Sequence, residues 1–101
     1  MSERFEISGT TWEWRTPGKP GAAWHFLTIE GQDATEIRFA AMGQTGGFGS
    51  IKVTATIGGT RWQTSLFPHR ESGGYLLPLK AAVRKAEGIG PGETISATIA
   101  L

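Results

Sequence analysis

Hydrophobic and polar residues alternate along the segment 46–68 in a pattern that predicts one β-hairpin. Gly58 and Gly59 are typical of a two-residue hairpin loop, whose central positions favour positive φ angles. With this loop, Ala55 lies opposite Trp62. In that register each strand has its apolar side chains on one face, toward the core, and its polar side chains on the other, toward solvent. The core face is expected to contain Ile51, Val53, Ala55, Ile57, Trp62 and Leu66. A register shifted by one residue would mix the two faces, so the pattern specifies a single pairing.

The first strand is predicted from Phe5 to Trp14, and its alternation changes phase. Phe5 and Ile7 occupy odd positions, whereas Trp12 and Trp14 occupy even ones. A β-bulge near Gly9 would insert one extra residue and bring all four side chains onto the core face, which is the arrangement we expect. Without a bulge, Trp12 and Trp14 would project outward together as an aromatic platform.

A strand and a short helix are predicted next. The segment 16–22 is rich in proline and glycine and predicts a loop, and the following strand, 24–30, is apolar on both faces. Asp33 is predicted to be the N-cap of a helix, with Glu36 in the capping-box position. The buried stripe of this helix is expected to contain Ala34, Ile37, Ala40 and Ala41.

The last third of the chain predicts a strand, a helix and a strand. Tyr75 to Leu77 form the short strand, and Pro78 suits the first position of a helix that ends at Gly88. The apolar stripe of this helix is expected to contain Leu79, Ala82, Val83 and Ala86. The final strand, 94–101, alternates regularly and is expected to pair inside the sheet.

These elements predict a mainly β protein: a small barrel of six to seven strands, closed or partly open, with two short helices. An open α+β sheet is the alternative. A chain of 101 residues suits a single domain, 1–101.

Composition and charge narrow the function classes. Cysteine is absent, so disulfides and thiol chemistry are excluded. No apolar stretch is long enough to cross a membrane, and we expect a cytoplasmic protein without a membrane partner. The charge is uneven: residues 1–50 carry four basic and six acidic side chains, whereas residues 51–101 carry six and three. This imbalance is modest for a protein that binds the nucleic-acid backbone.

No motif predicts catalysis, a metal or a cofactor. Two histidines, His25 and His69, are too few for a histidine-built metal site, and no serine occurs in a G-x-S-x-G motif. The glycines around Phe48 precede a strand rather than a helix, so a turn is favoured over a phosphate-binding loop. We therefore predict no catalytic residue, although a Ser-His-acid arrangement could still assemble in space.

A candidate binding surface is predicted on the basic half of the chain. The outer face of the hairpin carries Lys52, Arg61 and Gln63, and the exposed face of the second helix carries Lys80, Arg84 and Lys85. If the helix packs beside the hairpin, these side chains form one surface that attracts anions, with Tyr75 at its edge. The alternative interpretation is that the charges keep the sheet soluble and protect its edges.

Several strings of the sequence carry a resemblance to a known family. They are WHF at 24–26, GFGSIKV at 47–53, IGGTRWQTSLFP at 57–68, GGYLLPLKAAVRKAEG at 73–88 and PGET at 91–94. In order and spacing they resemble the family catalogued as domain of unknown function nineteen-oh-five, a family of small bacterial and archaeal barrel domains. The resemblance implies a double-split β-barrel, the fold of the AbrB and MazE transcription factors, which bind DNA as dimers. Family members also occur fused to a bacteriocin-protection domain, and the resemblance supplies no catalytic residues.

We therefore expect a non-enzymatic binding or accessory module for a small anionic ligand or a protein partner. The partner would bind in a groove of the barrel or on the basic outer face around Lys52, Arg61, Lys80 and Arg84. Nucleic-acid binding through the same basic face is the alternative, by analogy of fold. A small enzyme or enzyme subunit is a third hypothesis, which would require a polar concave pocket.

Overall fold

A computed structural model describes residues 3–18, 21, 23–46 and 49–101. Gly47 and Phe48 of the glycine-rich segment, and Lys19 and Pro20 of the first predicted loop, lie outside the described residues. The elements in chain order are β1 (Arg4–Arg15), β2 (Ala23–Ile29), α1 (Gly31–Ala40), β3 (Ile51–Ile57), β4 (Thr60–His69), β5 (Gly74–Pro78), α2 (Ala81–Glu87) and β6 (Thr94–Ala100).

The six strands close into a barrel in the order β1, β2, β5, β4, β3, β6. Each neighbouring pair is antiparallel. The C-terminal strand β6 lies between β1 and β3 and completes the closure, as its regular alternation predicts. The predicted mainly β barrel with two short helices is confirmed, and the open sheet is not the fold. No helix in the described part of the chain is long and apolar enough to span a bilayer.

The central hairpin has the predicted register. Ala55 lies opposite Trp62, and Lys52 lies opposite Ser65. Trp62 is 8% exposed and belongs to the core, whereas Lys52 and Arg61 face solvent. Inside the barrel, this hairpin packs with inward residues of the other strands into one apolar cluster that includes Leu27, Leu77 and Ile99.

The predicted bulge in β1 is wrong. Pairing with β6 continues through Gly9 without an extra residue, and pairing with β2 follows from Thr11 onward in the same phase. The inward position after Gly9 is therefore taken by Thr11, which is buried. Its hydroxyl donates to the Gly90 carbonyl at 2.7 Å and accepts from the Glu93 amide at 3.2 Å, so a polar side chain is satisfied there. Consequently Trp12 and Trp14 project outward, which is the platform alternative.

Helix α1 begins earlier than predicted. Its N-cap is Glu30, which makes no side-chain capping hydrogen bond, and Asp33 lies within the first turn. A carboxylate in the first turn interacts favourably with the helix dipole, as one at the N-cap does. The residue type of Asp33 therefore does not distinguish the two positions. Ala34, Ile37 and Ala41 are buried as predicted, whereas Ala40 is partly exposed.

Helix α2 begins later than predicted. Pro78 is the last residue of β5, opposite Phe26, and the Leu79 amide donates to the His25 carbonyl at 2.8 Å. A proline at the end of a strand is tolerated because the ladder no longer needs its missing N–H. The helix then runs from Ala81 to Glu87, and Gly88 is its C-cap, with the predicted left-handed conformation (φ 65°).

The predicted apolar stripe of α2 is only half correct. Leu79 and Val83 are buried, whereas Ala82 and Ala86 are exposed. The helix is about one turn shorter than predicted, and Val83 is its buried residue. Its last residue, Glu87, accepts a hydrogen bond from Thr60 beside the diglycine turn, so α2 packs against the hairpin.

Candidate binding site

An aromatic groove lies on the outer surface of the barrel, across β1, β2, β5 and β4. It encloses about 550 Å³ and is lined by Trp12, Trp14, Trp24, Phe26, Phe67, His69, Glu71, Leu76 and Pro78. Three of its rings are largely open to solvent: Trp24 is 57% exposed, Trp14 47% and Phe67 46%. A concave surface this rich in exposed aromatic side chains is unusual, since soluble proteins normally disperse such residues.

The groove follows directly from the strand register. Trp12 lies opposite Phe26, and Trp14 lies opposite Trp24, so two aromatic pairs span β1 and β2 on the outer face. Phe26 in turn lies opposite Pro78 of β5. Side chains on one face of paired strands contact each other across the sheet, so these residues form a continuous apolar floor.

Neighbouring rings of the groove pack against one another. Trp24 and Phe26 are nearly parallel, with an interplanar angle of 5° and centroids 6.5 Å apart. The centroid of the Trp12 ring lies 5.1 Å from that of Phe26, and the Trp12 indole Nε1 donates to the Thr28 hydroxyl at 2.7 Å. The indole nitrogen of Trp12 is therefore satisfied, and the ring is positioned before any ligand arrives.

The turn between β4 and β5 forms one end of the groove. It brings the His69 ring within 6.1 Å of Trp12 and places Glu71 beside it. His69 Nδ1 and the Ser72 hydroxyl lie 2.8 Å apart, and the Gly74 amide donates to the same hydroxyl at 3.2 Å. A histidine and a serine are thus brought together, but their contact holds a four-residue turn closed.

A second cavity, which we call the mouth pocket, opens at the end of the barrel where β2 begins and β5 ends. It encloses about 360 Å³. Its walls include Trp24, His25, Trp62, Gln63, Pro78, Lys80 and Arg84. Trp24 and Pro78 also line the aromatic groove, so the two cavities share a wall.

A chain of polar contacts adjoins the mouth pocket at His25. Glu13 contacts Arg15 through one carboxylate oxygen at 2.5 Å and His25 Nε2 through the other at 3.0 Å. The His25 ring is nine-tenths buried, and its Nδ1 has no hydrogen-bond partner among the described residues. An unsatisfied buried nitrogen of this kind is uncommon in folded proteins.

The structure divides the predicted basic surface. Gln63, Lys80 and Arg84 are brought together in the mouth pocket. Lys52 shares a different depression with Gln63, on the outer face of β3 and β4. Arg61 is exposed opposite Thr56 and lines neither of these cavities.

Tyr75 lies away from this surface. Its side chain is 4% exposed, and the Arg38 guanidinium of α1 lies 5.4 Å from the centre of its ring. Tyr75 points into the barrel in the same phase as Leu77, so it contributes to the core beneath α1 rather than to an edge of the basic face.

Sequence reasoning did not assign the aromatic groove. Its signal was nevertheless present, since Trp12, Trp14, Trp24 and Phe26 all occupy even positions, opposite in phase to Ile7 and Leu27. The preference for tryptophan in the core, and hence for a bulge, concealed that signal.

Fold and surface together define a class: a small closed antiparallel β-barrel with an external aromatic groove. Residues 8–99 match the family described as Domain of unknown function (DUF1905), and the chain belongs to that family. Comparison with curated proteins finds no match.

Proposed function

We propose that this chain is a non-catalytic binding module whose ligand lies in the aromatic groove. The observation that supports the proposal is the convergence of three exposed rings, Trp14, Trp24 and Phe67, in one concave surface. Leaving such rings in water is unfavourable, and a ligand with a flat apolar part would cover them.

The dimensions of the groove favour a small molecule. Its volume of about 550 Å³ lies within the range of sites that hold small organic ligands. The near-parallel Trp24 and Phe26 rings and the hydrogen-bonded Trp12 form a rigid floor. A preorganised site of this kind loses little conformational entropy when a flat ligand binds.

N-phenyl-1-naphthylamine is a suitable probe, since it is uncharged, flat and apolar and its fluorescence rises when it leaves water. We expect Trp24→Ala to weaken its binding at least tenfold, because truncating an aromatic anchor commonly costs about 2 kcal/mol or more. Trp14→Ala should act in the same direction. Fluorescence titration measures both, and circular dichroism verifies that each variant is folded.

Phe39→Ala is the matched control. Phe39 is 77% exposed on α1 and does not line the groove, so its removal deletes an exposed ring without changing the site. Equal affinities of the wild type and Trp24→Ala, or equal losses in Trp24→Ala and Phe39→Ala, would contradict the proposal.

Nucleic-acid binding is a second candidate, favoured by the exposure of Trp14 and Trp24, because bases of a single strand stack on such rings. This function requires a strong salt dependence, so a labelled mixed-sequence oligonucleotide should bind at about 50 mM salt and dissociate as salt is raised. If fluorescence anisotropy detects no binding at the lower salt concentration, this candidate is eliminated. The binding of N-phenyl-1-naphthylamine is unaffected by that outcome.

A further inference from the structure

We propose that the ligand of the aromatic groove is a planar apolar acid, whose negatively charged group lies in the mouth pocket between Lys80 and Arg84. This inference rests on the proposed function and specifies the chemical class of the ligand. It follows from the shared wall of the two cavities and from the charges on either side of that wall.

The shared wall makes a single ligand possible. Trp24 and Pro78 each line both the aromatic groove and the mouth pocket. A flat molecule lying on Trp24 in the groove therefore has its edge next to the pocket. In the proposed complex, one substituent on that edge enters the mouth pocket.

The charge of the mouth pocket is positive. Its walls carry the side chains of Lys80 and Arg84, and none of the described residues that line it is acidic. The Arg84 Nε donates to the Leu79 carbonyl at 3.0 Å, which fixes the guanidinium at the pocket. Neither cation forms an ion pair within the described ranges of the chain, so both are available to an anion.

The carboxylate of Glu13 does not pair with these cations. Glu13 has one oxygen against Arg15 and the other against His25. Its charge is therefore already compensated by Arg15. His25 lines the same pocket, and its Nε2 is occupied by the contact with Glu13.

The opposite end of the groove sets the orientation of the ligand. Glu71 lies there, in the turn before β5, whereas Pro78 ends β5 at the mouth pocket. A strand of five residues spans roughly 13–17 Å, so the two ends are well separated. The groove thus has an acidic end and a basic end, and an anionic group is favoured at the basic one.

Two dyes that differ by one charged group test this inference. 1-Anilinonaphthalene-8-sulfonate is N-phenyl-1-naphthylamine with an added sulfonate. We expect the double variant Lys80→Gln/Arg84→Gln to bind the sulfonate about tenfold more weakly, since removing both cations leaves the anion without a charged partner. Its affinity for the uncharged dye should change less than about twofold, because the groove is unaltered.

Lys85→Gln is the matched control, since Lys85 is exposed on the same helix and lines neither cavity. It should leave the affinity for both dyes unchanged. An equal loss of sulfonate affinity in Lys85→Gln and in the double variant would show a general charge effect and overturn the inference. Retention of sulfonate affinity in the double variant would overturn it as well.

These outcomes are distinguishable from failure of the proposed function. If the uncharged dye binds and depends on Trp24, but the sulfonate is insensitive to Lys80 and Arg84, the groove is a site for uncharged ligands and this inference alone is wrong. If the uncharged dye does not depend on Trp24, the groove is not the site and both proposals are wrong.

Discussion

The inward position of Thr11 in β1 is coupled to the outward position of Trp12 and Trp14, because successive side chains of a strand point to opposite faces. At this inward position the Thr11 hydroxyl bonds to the Gly90 carbonyl and the Glu93 amide. Sequence alternation alone suggests that a polar residue in that phase is misplaced, and therefore that a bulge restores the pattern. The bonding partners of Thr11 lie some eighty residues away along the chain, so no local pattern reveals them.

Replacing Thr11 by valine tests this account at the scale of one residue. Valine has nearly the same shape but leaves the Glu93 amide and the Gly90 carbonyl without that partner. We expect Thr11→Val to lower the free energy of unfolding by about 1–3 kcal/mol. Urea denaturation measures the change, and Thr10→Val, at an exposed position of the same strand, should be nearly neutral. Equal changes in the free energy of unfolding for the two substitutions would show that the buried Thr11 hydroxyl does not stabilise the fold.

The β3–β4 hairpin is the element that the sequence predicts best. Its diglycine turn and its uninterrupted alternation specify one register, and the observed pairs agree with it residue by residue. The helices are predicted less well at their ends. Asp33 and Pro78 have residue types typical of a helix start, but the tertiary pairing of Pro78 with Phe26 places that proline in a strand.

A substitution at Trp62 tests the register of the hairpin. This side chain lies opposite Ala55 and is buried, so Trp62→Ala should lower the free energy of unfolding by about 3–5 kcal/mol. Arg61→Ala, next to it on the exposed face, should change the stability by less than about 0.5 kcal/mol. Thermal or chemical denaturation compares the two variants. A Trp62→Ala protein that unfolds at the wild-type midpoint would show that the indole is not in the core.

At the scale of the whole molecule, barrel closure creates two different outer faces. Some strands that are neighbours in the barrel are distant in the chain: β5 lies between β2 and β4, and β6 lies between β1 and β3. Residues from four strands therefore line the aromatic groove on one side, and Lys52 and Arg61 face outward elsewhere. The sequence predicts the basic hairpin face because it is local. The sequence contains the phase that turns the tryptophans outward, but not their convergence with Phe67 and Pro78 in one groove, nor the mouth pocket, because both depend on closure of the barrel.

The central claim is that the groove at Trp14 and Trp24 is the binding site, and the indole N–H resonances of the four tryptophans test it most directly. In a ¹⁵N–¹H NMR titration with N-phenyl-1-naphthylamine, the resonances of Trp14 and Trp24 should shift progressively with dye concentration. The resonance of Trp62, which is buried in the barrel, should move far less. Stationary Trp14 and Trp24 resonances while the dye binds, or a largest shift at Trp62, would contradict the account.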